Sequence, residues 1–329
     1  MTLPLTTRRA LPAALVLACA TLPTLAQAQA AAWPAKPVRI LVGSPPGGPS
    51  DITARVFGEA LQRRTGQPAV VENRPGVGNN LAAGVAAKAE PDGYTLVLSP
   101  DTVVTVNPLI YKNQNFDARE DLVSATILTS FTQMLVCNPA TGVKTAAELV
   151  AKSKTTRITY GSGGAGVPGH LAAEMFIQTS GAKMEHVPYR GPAPATLAVL
   201  SGEVNCGFLA TPTVMQHVKA GKLTALAVSS GTPSPLAPDV PTLAQALNQP
   251  GLDVSFRLVL QTAKGTPAAA VAGIERLAAD IMKDPDVRAK LQASDLVALG
   301  TTHAQATQTM QAEIARWEPL VKKLDLKAD

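Results

Sequence analysis

Short apolar runs and amphipathic stretches alternate along most of the chain. The run at 38–42 is rich in β-branched residues and stops at a loop of glycine and proline, after which apolar positions recur at helical spacing over 52–64. Similar runs predict strands at 38–42, 69–72, 94–98, 132–138, 157–160, 185–188, 204–209, 223–229 and 254–260. Helical spacing predicts helices at 52–64, 80–89, 145–152, 170–179 and 197–200, with three more that start at Pro267, Pro285 and Ala304. Because strands and helices alternate, the pattern predicts an α/β fold with parallel sheets.

The layout of strand, glycine-rich loop and helix occurs twice, which predicts two domains. The first copy occupies 38–64 and the second 157–179. A length of 329 residues fits two domains, and the hydrophobic share of 46% supplies their cores mainly through Ala, Val and Leu, because aromatic residues make up only 4%. The predicted divisions are a leader at 1–30, the first domain at 31–128, the second domain at 129–245, and a return to the first domain with C-terminal helices at 246–329.

An export signal is predicted at the N-terminus. Arg8 and Arg9 precede an apolar stretch that is too short to span a membrane, and small residues that suit signal peptidase follow. We therefore expect a periplasmic protein with a signal peptide cleaved near Ala28 or Ala30. The paired arginines leave Sec and twin-arginine export as alternatives, and a weak lipoprotein box that ends at Cys19 leaves lipid anchoring as another.

Charge, cysteine and histidine content narrow the function. The net charge is +5, and the mature chain, which loses two arginines of the leader and no acidic residue, carries +3. Such a small excess of positive charge attracts small anions but is too low to indicate nucleic-acid binding, so no nucleic-acid partner is predicted. An oxidising compartment allows Cys137 and Cys206 to pair, but we expect two free buried thiols. The histidines are scattered, so no metal site is predicted.

The two glycine-rich loops are the strongest candidates for a binding site. Each follows a predicted strand and opens a helix, and helix N-termini bind anions because their N–H groups are unpaired and carry partial positive charge. Glycine lets the backbone approach a ligand closely. Ligand-binding residues predicted in the first loop are Ser44, Gly47, Gly48, Pro49, Ser50 and Asp51. Those predicted in the second loop and the following helix start are Ser162, Gly163, Gly164, Ala165, Gly166 and His170.

Other polar residues follow strands at the same edge of the sheets. The guanidinium group of Arg190 is a candidate to bind a carboxylate through two parallel hydrogen bonds, or else it holds a loop in place. Pocket-lining positions are also predicted at Thr102, Asn107 and Thr211. Several alternatives stay open: each loop is a tight turn, Ser50 or Asp51 is an N-cap, Asp51 binds a ligand ammonium group, or His170 is a buried histidine bonded to loop backbone.

The second loop also fits a dinucleotide-binding fingerprint. Gly161–Gly166 matches G-x-G-x-x-G and Glu185 follows at about the expected distance. However, Glu185 precedes the apolar core of its strand, whereas a ribose-binding acid lies at the strand end, so an exported nicotinamide-dependent oxidoreductase is a remote alternative. Neither loop has the lysine of a P-loop, and Ser162 lacks the nucleophile-elbow pattern. No catalytic residue and no cofactor are predicted.

An ordered set of motifs resembles the Bug-type substrate-binding proteins of tripartite tricarboxylate transporters. In the first half the resemblance lies in 33–39, 46–51, 71–76, 91–96 and 107–111. In the second half it lies in 160–162, 169–172, 186–191, 239–242 and 265–267. One such motif is weak, but their order across the whole mature chain is specific.

The resemblance implies a two-lobed periplasmic-binding-protein fold of type II and a non-enzymatic function. The segments 44–51 and 162–170 would hold a small mono- or dicarboxylate between the lobes, largely through backbone groups and water. Partners implied are the membrane permease subunits of a tripartite transporter, with a signalling receptor as the alternative, and a monomer is expected. The sequence departs from the family pattern at Arg257, Val259, Ala263, Asn205 and Asn79-Asn80, so the resemblance does not specify the ligand.

Overall fold

Two β-sheets form the framework of the computed structural model, which describes residues 1–2 and 33–328. The strands are β1 (Val38–Val42), β2 (Ala69–Asn73), β3 (Thr95–Pro100), β4 (Leu122–Phe131), β5 (Gln133–Cys137), β6 (Ile158–Ser162), β7 (Met184–Pro188), β8 (Cys206–Ala210), β9 (Thr224–Val228), β10 (Phe256–Ala263) and β11 (Leu296–Ala298). The helices are α1 (Pro49–Thr65), α2 (Asn80–Ala87), α3 (Thr102–Thr105), α4 (Asn107–Ile110), α5 (Ala146–Ser153), α6 (Pro168–Ser180), α7 (Pro192–Ser201), α8 (Thr211–Lys219), α9 (Leu243–Ala246), α10 (Ala268–Met282), α11 (Pro285–Gln292) and α12 (His303–Lys323). Apart from its first two residues, the predicted leader lies outside the described residues.

Each sheet belongs to one lobe, and both sheets are mixed. The first lobe has the strand order β11-β4-β10-β3-β1-β2, and the second has β7-β6-β8-β5-β9. The prediction of parallel sheets is wrong for β10, which runs antiparallel to β3 and β4, and for β5, which runs antiparallel to β8 and β9. Both strands arrive from the other lobe. They enter their sheets at the edge where the parallel strands end, and they must therefore run in the opposite direction.

The chain passes between the lobes in two segments, here called crossings, and the two crossings lie side by side. Thr132 alone separates β4 from β5, and residues 229–255 lead from β9 back to β10. The Ser229 hydroxyl lies 2.9 Å from the Thr132 hydroxyl. It accepts the backbone N–H of Gln133 at 3.0 Å and donates to the Val254 carbonyl at 2.7 Å. The crossings are thus hydrogen-bonded to each other. The predicted domain divisions at 128 and 245 stay predictions.

Helices cover the sheets and supply the apolar core. In the first lobe, Phe57 and Leu61 of α1 are fully buried, and Trp317 of α12 stacks on Phe256 at 6.0 Å between ring centroids. In the second lobe, Phe176 of α6 packs against Phe208 of β8 at 5.7 Å. Each such side chain stabilises the fold by about 1.5–3 kcal/mol relative to exposure. Among the described residues, none of the helices is both long and apolar enough to span a membrane.

The disulfide between Cys137 and Cys206 corrects the expectation of two free thiols. The residues end β5 and begin β8, which are neighbouring antiparallel strands, and the register places them directly opposite each other. Their Cα atoms are only 3.9 Å apart. The pairing depends on the neighbour relation of two strands that are 69 residues apart, which the sequence pattern did not supply.

Candidate functional site

A cavity of about 520 Å³ lies between the ends of the two sheets. Its lining from the first lobe comprises Gly43, Ser44, Pro45, Pro49, Ser50, Pro75, Gly76, Val77, Gly78, Asn79, Pro100, Tyr111, Phe131 and Ala328. Its lining from the second lobe comprises Gln133, Gly163, Gly164, Ala165, Val167, Pro168, Gly169, Pro188, Tyr189, Arg190, Gly191, Pro192, Phe208, Leu209 and Ala210. Both glycine-rich loops therefore meet at one cavity, as the topology of strand ends requires.

The first glycine loop is held by a charged side chain behind it. Asp51 accepts the Gly47 N–H at 3.0 Å and also hydrogen bonds from Arg55 and Asn73, each at 3.0 Å. Asn73 in turn donates to the Ser44 carbonyl. Burial by itself raises the pKa of Asp51, but these hydrogen bonds outweigh burial and hold the pKa below its usual value. The carboxylate is therefore ionised and engaged with the loop.

The N-cap of α1 is Gly48, and this corrects the alternative that gave the role to Ser50 or Asp51. Pro49 occupies the first helical position, where its missing N–H costs nothing. Ser50 and Asp51 consequently lie in the first turn, where backbone N–H groups have no partner within the helix. Ser50 is buried and lines the cavity, so the helix N-terminus faces the ligand space.

The second glycine loop is held by neutral side chains. The Gly166 N–H donates to Nδ1 of His170 at 3.1 Å, and the Ser162 hydroxyl lies 2.6 Å from Nε2 of His186 and 2.9 Å from the Gly164 carbonyl. The two imidazoles stack at 4.1 Å between centroids. His170 thus matches the alternative in which a buried histidine bonds loop backbone.

Burial determines the charge state of this pair. It lowers the pKa of His170 to about 3, with a further contribution from His186, and it lowers the pKa of His186 to about 4. Both rings are therefore neutral near neutral pH. On the far side, Tyr160 donates to Glu174 at 2.6 Å, and Nε2 of His170 lies 3.8 Å from the same carboxylate. The loop is therefore supported by a chain of polar side chains that are buried or half-buried.

Contacts between the lobes close part of the cavity. The Tyr111 hydroxyl donates to the Ala165 carbonyl at 2.9 Å. Gly166 faces the first lobe so closely that an added Cβ would lie 2.3 Å from Cδ1 of Ile110. A Cβ at Gly191 would lie 2.7 Å from Cδ of Pro45. Glycine at these two positions is what allows the lobes to approach each other.

The structure divides the predicted site residues into two groups. Those that line the cavity are Ser44, Pro49, Ser50, Gly163, Gly164, Ala165 and Arg190. Those that do not line it are Gly47, Gly48, Asp51, Thr102, Asn107, Ser162, Gly166, His170 and Thr211. The second group includes the supports of both loops. Asn107, for example, donates to the Gly78 carbonyl at 2.8 Å and to Asn80 at 2.7 Å.

Several cavity-lining residues were missed by the sequence reasoning. Asn79, Tyr111, Phe131, Gln133 and Tyr189 all contribute to the wall. A signal existed for Asn79, because it interrupts a turn that is usually glycine-rich, and it has the left-handed φ of +74° that favours glycine or asparagine. Tyr111 and Tyr189 lie within the motif segments 107–111 and 186–191, which could have indicated them. Phe131 and Gln133 carry no local pattern that separates them from core or loop residues.

The dinucleotide alternative finds no support in the geometry. Glu185 lies near the start of β7 and pairs with Arg157 at 2.6 Å on the surface. It is therefore at the edge of the sheet remote from the glycine loop, and the ribose-binding acid of such a site is not in place. The described residues contain no cluster of side chains able to hold a metal ion.

Comparisons with known proteins agree with the two-lobed architecture. A family model described as the tripartite tricarboxylate transporter family receptor matches residues 53–326. The protein BugT of Bordetella pertussis is 30% identical over 311 residues, which cover 94% of this chain and 95% of BugT.

Solved structures show the same fold. A structure described as a periplasmic transporter is 32% identical with a TM-score of 0.85, covering 91% of this chain and 100% of its own. An R. palustris protein solved with adipate is 27% identical with a TM-score of 0.85, covering 90% and 99%. MatC from Rhodopseudomonas palustris, solved with bound malate, is 25% identical with a TM-score of 0.81, covering 88% and 100%. The fold is thus that of two-lobed periplasmic solute-binding proteins, and the chain belongs to the tripartite tricarboxylate transporter receptor family, whose members bind solutes rather than catalyse reactions.

Proposed function

We propose that this protein captures a small organic carboxylate, either a mono- or a dicarboxylate, in the cleft between its lobes. The observation that carries the proposal is the pair of glycine loops that open α1 and α6 onto one cavity. Unpaired N–H groups and helix dipoles at both places favour an anion. The hydroxyl groups of Ser44 and Ser50 lie at the same wall and add donors.

The charge of the wall supports the same ligand class. Among the described residues that line the cavity, Arg190 is charged and none carries a carboxylate. A volume of about 520 Å³ suits a small solute. Related proteins have been solved with adipate and with malate. An anionic ligand with a few carbon atoms therefore fits both the size and the charge of the site.

The remaining parts of the proposal concern location and partners. A signal peptide cleaved near Ala28 or Ala30 would direct the protein to the periplasm. The mature protein would act there as a monomer. The lobes, divided near 128 and 245, would close on the ligand and present it to the membrane permease subunits of a tripartite transporter. Closure requires only that the ligand bind the closed state more tightly than the open state.

A thermal-shift experiment on ligand-stripped protein tests ligand capture. Adipate and malate are compared with their uncharged diamides, which have nearly the same shape. At a hundredfold excess over Kd, binding adds about 2.7 kcal/mol of stability, so Tm should rise by several degrees with an acid and not with its diamide. Equal shifts with acid and diamide would contradict anion recognition. No shift across a wider panel of small carboxylates would contradict the proposal as a whole.

A further inference from the structure

Gln133 occupies a special position in the cavity wall. It is the first residue of β5, directly after the crossing from the first lobe, and it is only 3% exposed. Its backbone is fixed on both sides: its N–H donates to the Ser229 hydroxyl at 3.0 Å, its carbonyl accepts the Ser229 N–H at 2.8 Å, and it pairs with Ala210 of β8. The side chain therefore projects from a backbone position that is held by hydrogen bonds beside the two crossings.

The side-chain amide of Gln133 takes no part in the hydrogen bonds that hold the fold together. It lines the cavity and makes no hydrogen bond with any of the described residues. Because Gln133 lines the cavity, its amide can bond to water there or to a ligand that replaces the water. By contrast, the buried amide of Gln261 in β10 is bonded to Ser99 and Ser124. The amide of Gln133 is thus available to a ligand in the cavity, whereas that of Gln261 is already engaged within the fold.

The N-terminus of α6 orients the Gln133 amide. Its oxygen Oε1 lies 3.4 Å from the position that a Cβ on Gly169 would occupy, in the first turn of this 13-residue helix. The partial positive charge of a helix N-terminus favours the oxygen on that side. The NH2 group then points away from the helix and has two N–H donors to offer.

The geometry points to Gln133 as a specificity-determining residue whose NH2 group binds an acceptor oxygen at the second end of the ligand. The first carboxylate would lie at the α1 loop of the first lobe, and Gln133 with the α6 loop would receive the opposite end. This inference rests on the proposed function. It goes further because it names one neutral side chain as the cause of a ligand preference. The preferred ligand is an acid with a second acceptor group, above all a dicarboxylate.

Titration calorimetry with matched acids tests this assignment. The probes are adipate against hexanoate and succinate against butyrate, which differ in the second carboxylate. In Gln133→Met, which keeps the length but has no donor, affinity for the preferred diacid should fall about 10- to 100-fold, as expected for a lost hydrogen bond to a charged group. Affinity for the monoacid should stay within about twofold.

A charged variant and a surface control sharpen the result. Gln133→Glu places a carboxylate beside the ligand oxygen, so diacid binding should be lost at pH 7 and recovered in part as the pH is lowered. Gln311→Met and Gln311→Glu make the same changes at an exposed position on α12 and should leave both affinities unchanged. Melting curves verify that all four variants are folded.

The outcomes separate the inference from the proposed function. If the wild-type protein binds diacids and Gln133→Met keeps the same ratio of diacid to monoacid affinity, the inference is wrong and the proposed function stands. The inference is also wrong if the wild-type protein shows no preference within either pair. If the wild-type protein binds no carboxylate at all, the proposed function is wrong, and the inference that rests on it is wrong as well.

Discussion

The two glycine loops perform the same task with different supports. The first loop is held by the ionised carboxylate of Asp51, whose partner Arg55 is half exposed. The second is held by His170 and by the contact of Ser162 with His186, all of them uncharged near neutral pH. Each support accepts one backbone N–H of its loop and so holds the loop beside the cavity. What the two supports share is the placement of the loop and not the chemistry that maintains it.

Because the supports differ, the two halves of the site should respond differently to salt and to pH. A partly exposed ion pair contributes little and is screened by salt. A buried neutral pair is insensitive to salt, but the hydrogen bond from the Gly166 N–H is lost when Nδ1 of His170 takes a proton, because that nitrogen then no longer accepts. The first loop should therefore respond to ionic strength. The second should keep its geometry in mild acid, although the protonation of the unfolded chain there lowers the free energy of unfolding.

The largest expected effect comes from breaking the contact of the second loop with the opposite lobe. Gly166→Ala places a methyl group against Ile110, so the lobes cannot approach as they do in the wild-type protein. We expect carboxylate affinity to fall at least about tenfold, in the range caused by small misplacements at binding sites. Calorimetry with the best ligand measures it.

A matched control isolates that contact. Gly181 has a φ of +69°, almost the same as the +70° of Gly166, but a Cβ there meets no atom within 4 Å. Gly181→Ala should lose about 1 kcal/mol of stability through backbone strain and keep the wild-type affinity. Equal affinities for the two variants would show that closure at Gly166 does not matter.

An intermediate effect is expected from pH, and it belongs to the second loop. The pKa of His170 is lowered to about 3 in the folded protein, whereas the unfolded chain has the ordinary value of 6.5. As the pH falls below 6.5 the unfolded state binds the proton first, so the free energy of unfolding decreases by up to about 1.4 kcal/mol per pH unit for this residue.

Urea unfolding between pH 4.5 and 7.5 measures this slope. The control is His170→Gln, which retains an acceptor for Gly166 and cannot titrate in this range. The variant should show a shallower loss of stability toward acid than the wild-type protein. Identical slopes would contradict the assignment of a buried neutral histidine.

The smallest effect is expected from the support of the first loop. Asp51→Asn keeps the shape but removes the charge that binds Gly47 and Arg55, and we expect a loss of no more than about 1 kcal/mol together with a few-fold weaker ligand binding. Because the pKa of Asp51 is lowered, its contribution is present above pH 3.8 and is lost as the pH falls through the folded value.

Another acidic residue of α1 provides the comparison. Glu59 pairs with Arg63 and Lys290 on the surface, with 54% of its side chain exposed. Glu59→Gln should change stability by no more than about 0.5 kcal/mol, as is usual for surface pairs. If both substitutions have the same small effect in urea unfolding, the first loop does not depend on Asp51.

Local patterns predicted much of the fold but not all its strands. The glycine loops and the strands that precede them were evident because an apolar run, a break and a helical period occur in succession. β4 was missed because serine and threonine interrupt its apolar residues, although its middle is buried on both faces. β11 has only three residues and gives almost no periodic signal. Such strands are defined by their neighbours, not by their own pattern.

The paired glycine loops, the two-lobed α/β architecture and the family resemblance were determined by the sequence alone, because short-range patterns and the order of motifs carry that information. The disulfide between Cys137 and Cys206, the stacking of His170 on His186 and the position of Gln133 in the cavity wall became visible only in the folded chain. Each of these depends on which distant strands become neighbours. Neighbour relations arise from the packing of the whole chain, and no local spacing of residues encodes them.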